Sequence, residues 1–131
     1  MTAFGTSVLI AALVFCLLTT WASGTEPGRF AGRLGLTLAD AGGANEIRAQ
    51  YAGFFLAIAL LCAAALADLA SRQAAFITLV VTFGGLFAGR MVSLFLNRGW
   101  AGYGPTIRAL LLIDLIGLSL AIAALVVDGT A

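Results

Sequence analysis

Between Ala109 and Val127 the chain carries one charged residue, Asp114, and between Phe55 and Ala67 it carries none. A helix needs about 20 mainly apolar residues to cross the hydrocarbon core of a bilayer. In that core every backbone N–H and C=O must be bonded within the protein, so only α-helices and closed β-barrels span it. A barrel strand alternates lipid-facing and lumen-facing residues, and neither run alternates. The sequence therefore predicts an all-α integral membrane fold.

Four spans are predicted, at Ser7 to Trp21, Glu46 to Leu69, Ala74 to Leu96 and Thr106 to Val127. The first has an alternative reading as a secretory signal peptide, with Val8 to Leu18 as its apolar region and small residues at Ala22, Ser23 and Gly24. No Arg or Lys precedes it and Trp21 spoils one cleavage frame, so a retained helix is preferred. Ala70 to Gln73 is too short for anything but an antiparallel hairpin, and Asn97 to Pro105 is a Gly-rich turn. The expected architecture is one membrane domain over residues 1–131, an antiparallel four-helix bundle.

Composition narrows the function classes. Of 131 residues 62% are hydrophobic and 10% charged, whereas soluble domains carry roughly 25% charged residues. There is no His and no Lys, which removes His-ligated metals, His general bases, Schiff-base lysines and P-loop lysines. Seven Arg against six acids leave no basic field, so no nucleic-acid partner is expected. Cys16 and Cys62 lie singly in apolar runs and read as packing residues, so neither a metal nor a cofactor is implied.

Small residues mark where helix backbones can approach. Gly85, Gly89 and Ser93 recur every four residues on the third span, with weaker ridges at Ala59, Ala63 and Ala67 and at Gly117, Ala121 and Leu125. Packing within one chain explains such ridges, and a homo-oligomer seam is the alternative. The connection Gly24 to Asn45 is long. A short interfacial helix there would set Arg29 and Arg33 one turn apart beside Phe30 and Leu34, although five glycines from Gly28 to Gly43 weaken it. A cap over the end of the bundle is the other reading.

Spans alternate in direction, so the long loop, the Asn97 to Pro105 turn and the start of the second span share one membrane side. Arg90 lies six residues before Leu96, about 9 Å deep, and Asp114 eight residues after Thr106, about 12 Å deep. The matched depth predicts a mutually neutralising pair, because an unpaired charge there is costly. Asn45 and Glu46 are expected to cap the second span. At 100° per residue Glu46, Gln50 and Gly53 share one face, and Arg48, Tyr51 and Phe55 another. Asp68 and Arg72, four apart, read as a surface tie at the opposite end. Trp21, Trp100 and Tyr103 read as interfacial anchors.

Three elements of this pattern resemble a known family. They are the run Asn45-Glu46-Ile47-Arg48-Ala49-Gln50-Tyr51-Ala52-Gly53, the Gly89-Arg90 pair followed by Ser93, and an acid in the middle of the fourth helix. Over nearly the whole chain the sequence resembles a bacterial family of small four-span membrane proteins, domain of unknown function 4345. The resemblance implies Asn-Glu-x-Arg-Ala-x-Tyr-Gly-Gly, then Gly-Arg, then usually Glu. Here Ala52 replaces the first Gly and Asp114 stands where Glu is usual. The resemblance supports the fold and the choice of residues and implies no activity.

The expected ligand-binding or buried polar cluster is Glu46, Arg48, Tyr51, Arg90 and Asp114, with Gly53, Gly85, Gly89 and Ser93 as helix-packing residues. Three functions fit it. The first is a structural or accessory membrane subunit whose cluster fixes helix register. The second is a binding module for a lipid, quinone or other amphiphile between helices. The third is a proton-coupled carrier or membrane enzyme titrating Glu46 or Asp114. No catalytic residue is assigned, since Ser93 has no base beside it. Expected partners are the lipid bilayer, an amphiphilic small molecule, and a membrane protein or second copy. Multi-pass localisation in a bacterial inner membrane is expected. Sidedness stays open: Arg29, Arg33, Arg48, Arg98 and Arg108 on the loop side put that side in the cytoplasm by the positive-inside rule, and the resemblance implies the reverse.

Overall fold

The computed structural model describes residues 2–129. Among them there is no strand, and the helices are α1 (Ala3–Thr25), α2 (Pro27–Arg33), α3 (Ala41–Ile47), a π-helical segment (Arg48–Gly53), α4 (Phe54–Leu66), α5 (Arg72–Leu96) and α6 (Pro105–Gly129). Four continuous stretches are long and apolar enough to cross a membrane: α1, the run Ala41–Leu66, α5 and α6. The fold is all-α, with four such helices. Large apolar side chains such as Leu60, Val81 and Val126 stand exposed along them, as a lipid-facing surface requires.

Several hydroxyl groups inside the spans are satisfied locally. Thr19, Ser23, Thr78 and Ser119 each donate to the carbonyl four residues earlier, the usual way a Ser or Thr is accommodated in an apolar helix. Thr20 differs, and its partner is described below.

The chain divides into two compact units, one running from Leu9 to Arg72, the other comprising the residues up to Val8 and those from Gln73 onward. In the first, α4 buries Phe55, Ile58, Ala59, Cys62 and Ala65, an i, i+3, i+4, i+7 stripe, and α1 buries Leu9, Ala12 and Cys16. Phe15 meets Phe55 edge-on at 6.0 Å, and the Thr20 hydroxyl donates to the Ala52 carbonyl at 3.2 Å. Residue numbers rise on one partner as they fall on the other, so α1 runs antiparallel to the second span.

Two expectations for this unit are corrected. The second span begins at Ala41 rather than Glu46, and its cap is Asp40, whose carboxylate accepts from the Gly43 N–H at 3.0 Å. Asn45 is therefore inside the helix and caps nothing. Gly42 and Gly43 hid this start, because glycine lowers helix propensity, and the Asp40 side chain offsets that cost by satisfying a first-turn donor. The connection Gly24 to Asn45 also holds the seven-residue α2, with Pro27 at its first position, where a missing N–H is harmless. Gly35, at φ +77°, ends it in the left-handed conformation that glycine adopts without steric cost.

In the second unit α5 buries Ala75, Phe76, Leu79 and Phe83, while α6 buries Asp114, Ala121 and Ala124. α6 comes close to α5 at Gly117, where a Cβ would lie 2.8 Å from the Phe83 ring. The Gly85 and Gly89 stripe does not serve as a close-packing ridge here: a Cβ at either position would meet nothing within 4 Å. Aromatic bulk at Phe83 selects a glycine on the opposite helix, and a small-residue count along α5 alone does not reveal it. Asp128 lies in the last turn of α6, and its Oδ1 accepts from the Thr2 N–H at 2.9 Å. The turn after α5 uses left-handed Arg98, Gly99 and Gly102 before Pro105 starts α6.

Candidate functional site: two polar clusters

One cluster belongs to the α5–α6 hairpin. Arg90 and Ser93 stand three residues apart on α5, and Asn97, the first residue of the turn after it, continues their row at i+7 toward the end of the span. Arg90 Nε donates to Asp114 Oδ2 at 2.6 Å across to α6. The two partners are unequally covered, the Asp114 side chain being 3% exposed and that of Arg90 23%. The carboxylate is thus the member that depends on its partner, since a buried charge left alone costs several kcal/mol, about 3–5 for loss of one partner.

Above this pair the row continues as hydrogen bonds. Ser93 Oγ and the Tyr103 hydroxyl lie 2.7 Å apart, and Asn97 Nδ2 donates to the same hydroxyl at 2.8 Å. Arg108, in the first turn of α6, donates from Nε to the Tyr103 carbonyl at 3.1 Å and lays its guanidinium over the Trp100 ring, 5.7 Å from the centroid. Trp100 meets Tyr103 edge-on at 6.2 Å. The turn Asn97 to Pro105 is in this way bonded to both helices it joins. Sequence reasoning missed Asn97 and Arg108 and assigned Tyr103 only to an interfacial belt. The helical spacing of Asn97 from Arg90 and Ser93 was the available signal for the first. Nothing in the spacing of a Gly-rich turn indicates where Tyr103 points.

Ser93 is accordingly corrected from a packing residue to a hydrogen-bonding one.

The second cluster lies in the Leu9–Arg72 unit. Arg48 opens the π-helical segment and donates from Nε to the Gly24 carbonyl at 3.1 Å, tying the start of the second span to the last turn of α1. Tyr51, in the same segment, packs its ring on Phe30 of α2 at 5.0 Å. Ala52, which stands where the resemblance implies a Gly, receives the Thr20 hydrogen bond on its carbonyl and lies with its methyl group 3.5 Å from where a Gly24 Cβ would be. Its added methyl is accommodated by a glycine on α1.

The π-helical segment overturns the expected division of faces. Wider turns place residues at less than 100° apart, so the Glu46, Gln50, Gly53 face and the Arg48, Tyr51, Phe55 face do not hold over Arg48–Gly53. Phe55 is buried, while Arg48 stays exposed. Glu46 and Gln50 are exposed, and among the described residues Glu46 makes no ion pair with Arg48. Gly53 approaches only the Arg48 carbonyl of its own segment. At the other end of this unit Arg72 pairs with Asp68 and also donates to the Ala65 carbonyl at 3.4 Å, the expected tie. Among the described residues no group of three or more acidic, Cys or His side chains converges to hold a metal ion.

No curated protein and no solved structure matches the chain. The family described as Domain of unknown function (DUF4345) matches residues 5–125, a range that takes in Arg48, Tyr51, Arg90 and Asp114, and the chain belongs to that family.

Proposed function

We propose that the chain is a structural or accessory subunit of a bacterial inner membrane, whose polar row on α5 sets the register of the α5–α6 hairpin. The observation that carries this reading is the bond from Arg90 to a nearly fully covered Asp114, continued by Ser93, Asn97 and Tyr103. Each polar group in the row is engaged with another inside the same hairpin. A group that carries protons across a membrane must exchange its partner or its proton during the cycle, and a row bonded to itself favours a fixed role.

Asp114→Asn separates the two kinds of role. It keeps the shape and removes the charge that neutralises Arg90. A register-setting role predicts a lower melting temperature in detergent and no proton-coupled flux in liposomes from either protein. A proton flux in the wild type that disappears in Asp114→Asn, with melting unchanged, would contradict it.

A further inference from the structure

The end of α1 and the short helix α2 enclose a hollow that neither polar cluster uses. It has a volume of about 170 Å³ and is lined by Trp21, Thr25, Glu26, Arg29, Phe30 and Arg33. A water in the liquid occupies roughly 30 Å³, so there is room for a polar head group. α1 is long and apolar enough to cross a membrane and ends at Thr25, so a bilayer crossed by it would bring its lipid head groups to the hollow. Trp21, 72% exposed, stands on the span side of it, at the depth where amphipathic rings meet glycerol and upper acyl chain.

Its charges are asymmetric. Arg29 bonds Glu26 at 3.1 Å, with both side chains more than half exposed, so that contact is weak and open to a second acceptor. Arg33 has no carboxylate partner among the described residues. Two guanidinium groups against one carboxylate leave an excess positive charge in a hollow with one aromatic wall. The wall is held from behind: Phe30 rests on Tyr51, and Arg48 fastens the Gly24 carbonyl just before Thr25. Arginine in such a setting suits a phosphate, whose oxygens accept the paired donors of a guanidinium.

We propose that this hollow binds the phosphate of an anionic phospholipid from the surrounding bilayer. Arg33 is the principal ligand and Arg29 the second, Trp21 and Phe30 flank the glycerol and upper chain, and Arg48 and Tyr51 are positioning residues. The proposal uses none of the α5–α6 row, so it and the register-setting role can fail separately.

The test is native mass spectrometry of the full chain in detergent, titrated with phosphatidylglycerol or with phosphatidylcholine of the same acyl chains, and with inorganic phosphate as competitor. Wild type should retain phosphatidylglycerol in preference to phosphatidylcholine, and millimolar phosphate should leave the complex intact. Arg33→Gln should weaken retention about fivefold, the effect of one basic residue near an anionic membrane surface. Glu26→Gln should strengthen it, while Arg33→Lys should recover part of the loss. Opposite shifts from Glu26 and Arg33 are not expected of residues that only support the fold. Equal retention of the two lipids, or Arg33→Gln binding like wild type, would overturn the proposal. Displacement of the lipid by phosphate would overturn it in favour of a free-anion site. Should Arg33→Gln not be recovered folded, the wild-type head-group comparison and Glu26→Gln decide alone.

Discussion

Asp114 is a charge placed where hydrocarbon would surround it, and its covering is nearly complete while its partner remains partly open. The pairing was legible in the sequence as matched depth, since counting 1.5 Å per residue from the two span ends puts Arg90 and Asp114 within about 3 Å of one level, whereas the asymmetry was not. The reverse holds for Gly117 and Phe83, whose contact depends on rotation of α6 about its axis, which apolar composition all round the helix leaves unmarked. Gly117→Ala should lower stability by about 1–3 kcal/mol, the range for overpacking, and Phe83→Leu in the same chain should recover much of it. Gly85→Ala, where a Cβ meets nothing, should be at least as stable as wild type, gaining up to about 1 kcal/mol from the helix preference of Ala over Gly. Thermal unfolding of the three variants in one detergent checks the contrast. Tyr103→Phe removes a hydroxyl shared by Ser93 and Asn97 and should cost about 0.5–1.5 kcal/mol, read by the same melts.

At the scale of elements, the second span departs most from what its sequence suggests. Hydropathy locates its apolar part, Phe54–Leu66, but the polar start Ala41–Gly53 contains glycines that mask a helix and a run that winds as a π-helix. A period of 3.6 residues cannot reveal a segment that does not follow it. The wider turn accompanies a bond from α1, the Thr20 hydroxyl on the Ala52 carbonyl, and such contacts from a neighbouring helix lie outside any single-helix pattern. Asp40 is the cap on which the early start depends. Asp40→Ala should cost about 1 kcal/mol, and hydrogen exchange should show faster opening confined to Ala41–Asn45. Exchange that stays unchanged over those residues would return the helix start to Glu46.

For the whole molecule, the membrane solvent decides more than any motif. Four long apolar helices, hydroxyls bonded within their own helices and apolar side chains turned outward follow from removing water as a partner for the backbone. Of these, the four apolar helices were readable from composition and run length. The role of the polar residues was readable only as a set of candidates, since one sequence marks which charges are deep without showing how each is bonded. Membership of the family extends from residue 5 to 125 and supports treating the polar residues of all these helices as features of one fold. The central claim is that Arg90 and Asp114 act as a coupled pair holding α5 to α6. A double-mutant cycle of Arg90→Ala and Asp114→Ala, followed by unfolding in detergent, measures that coupling directly. The account predicts about 3–5 kcal/mol lost in the Arg90 single change, which strands the buried carboxylate, and a double change costing less than the two singles summed by about 1–3 kcal/mol. Simple additivity of the two losses would contradict it.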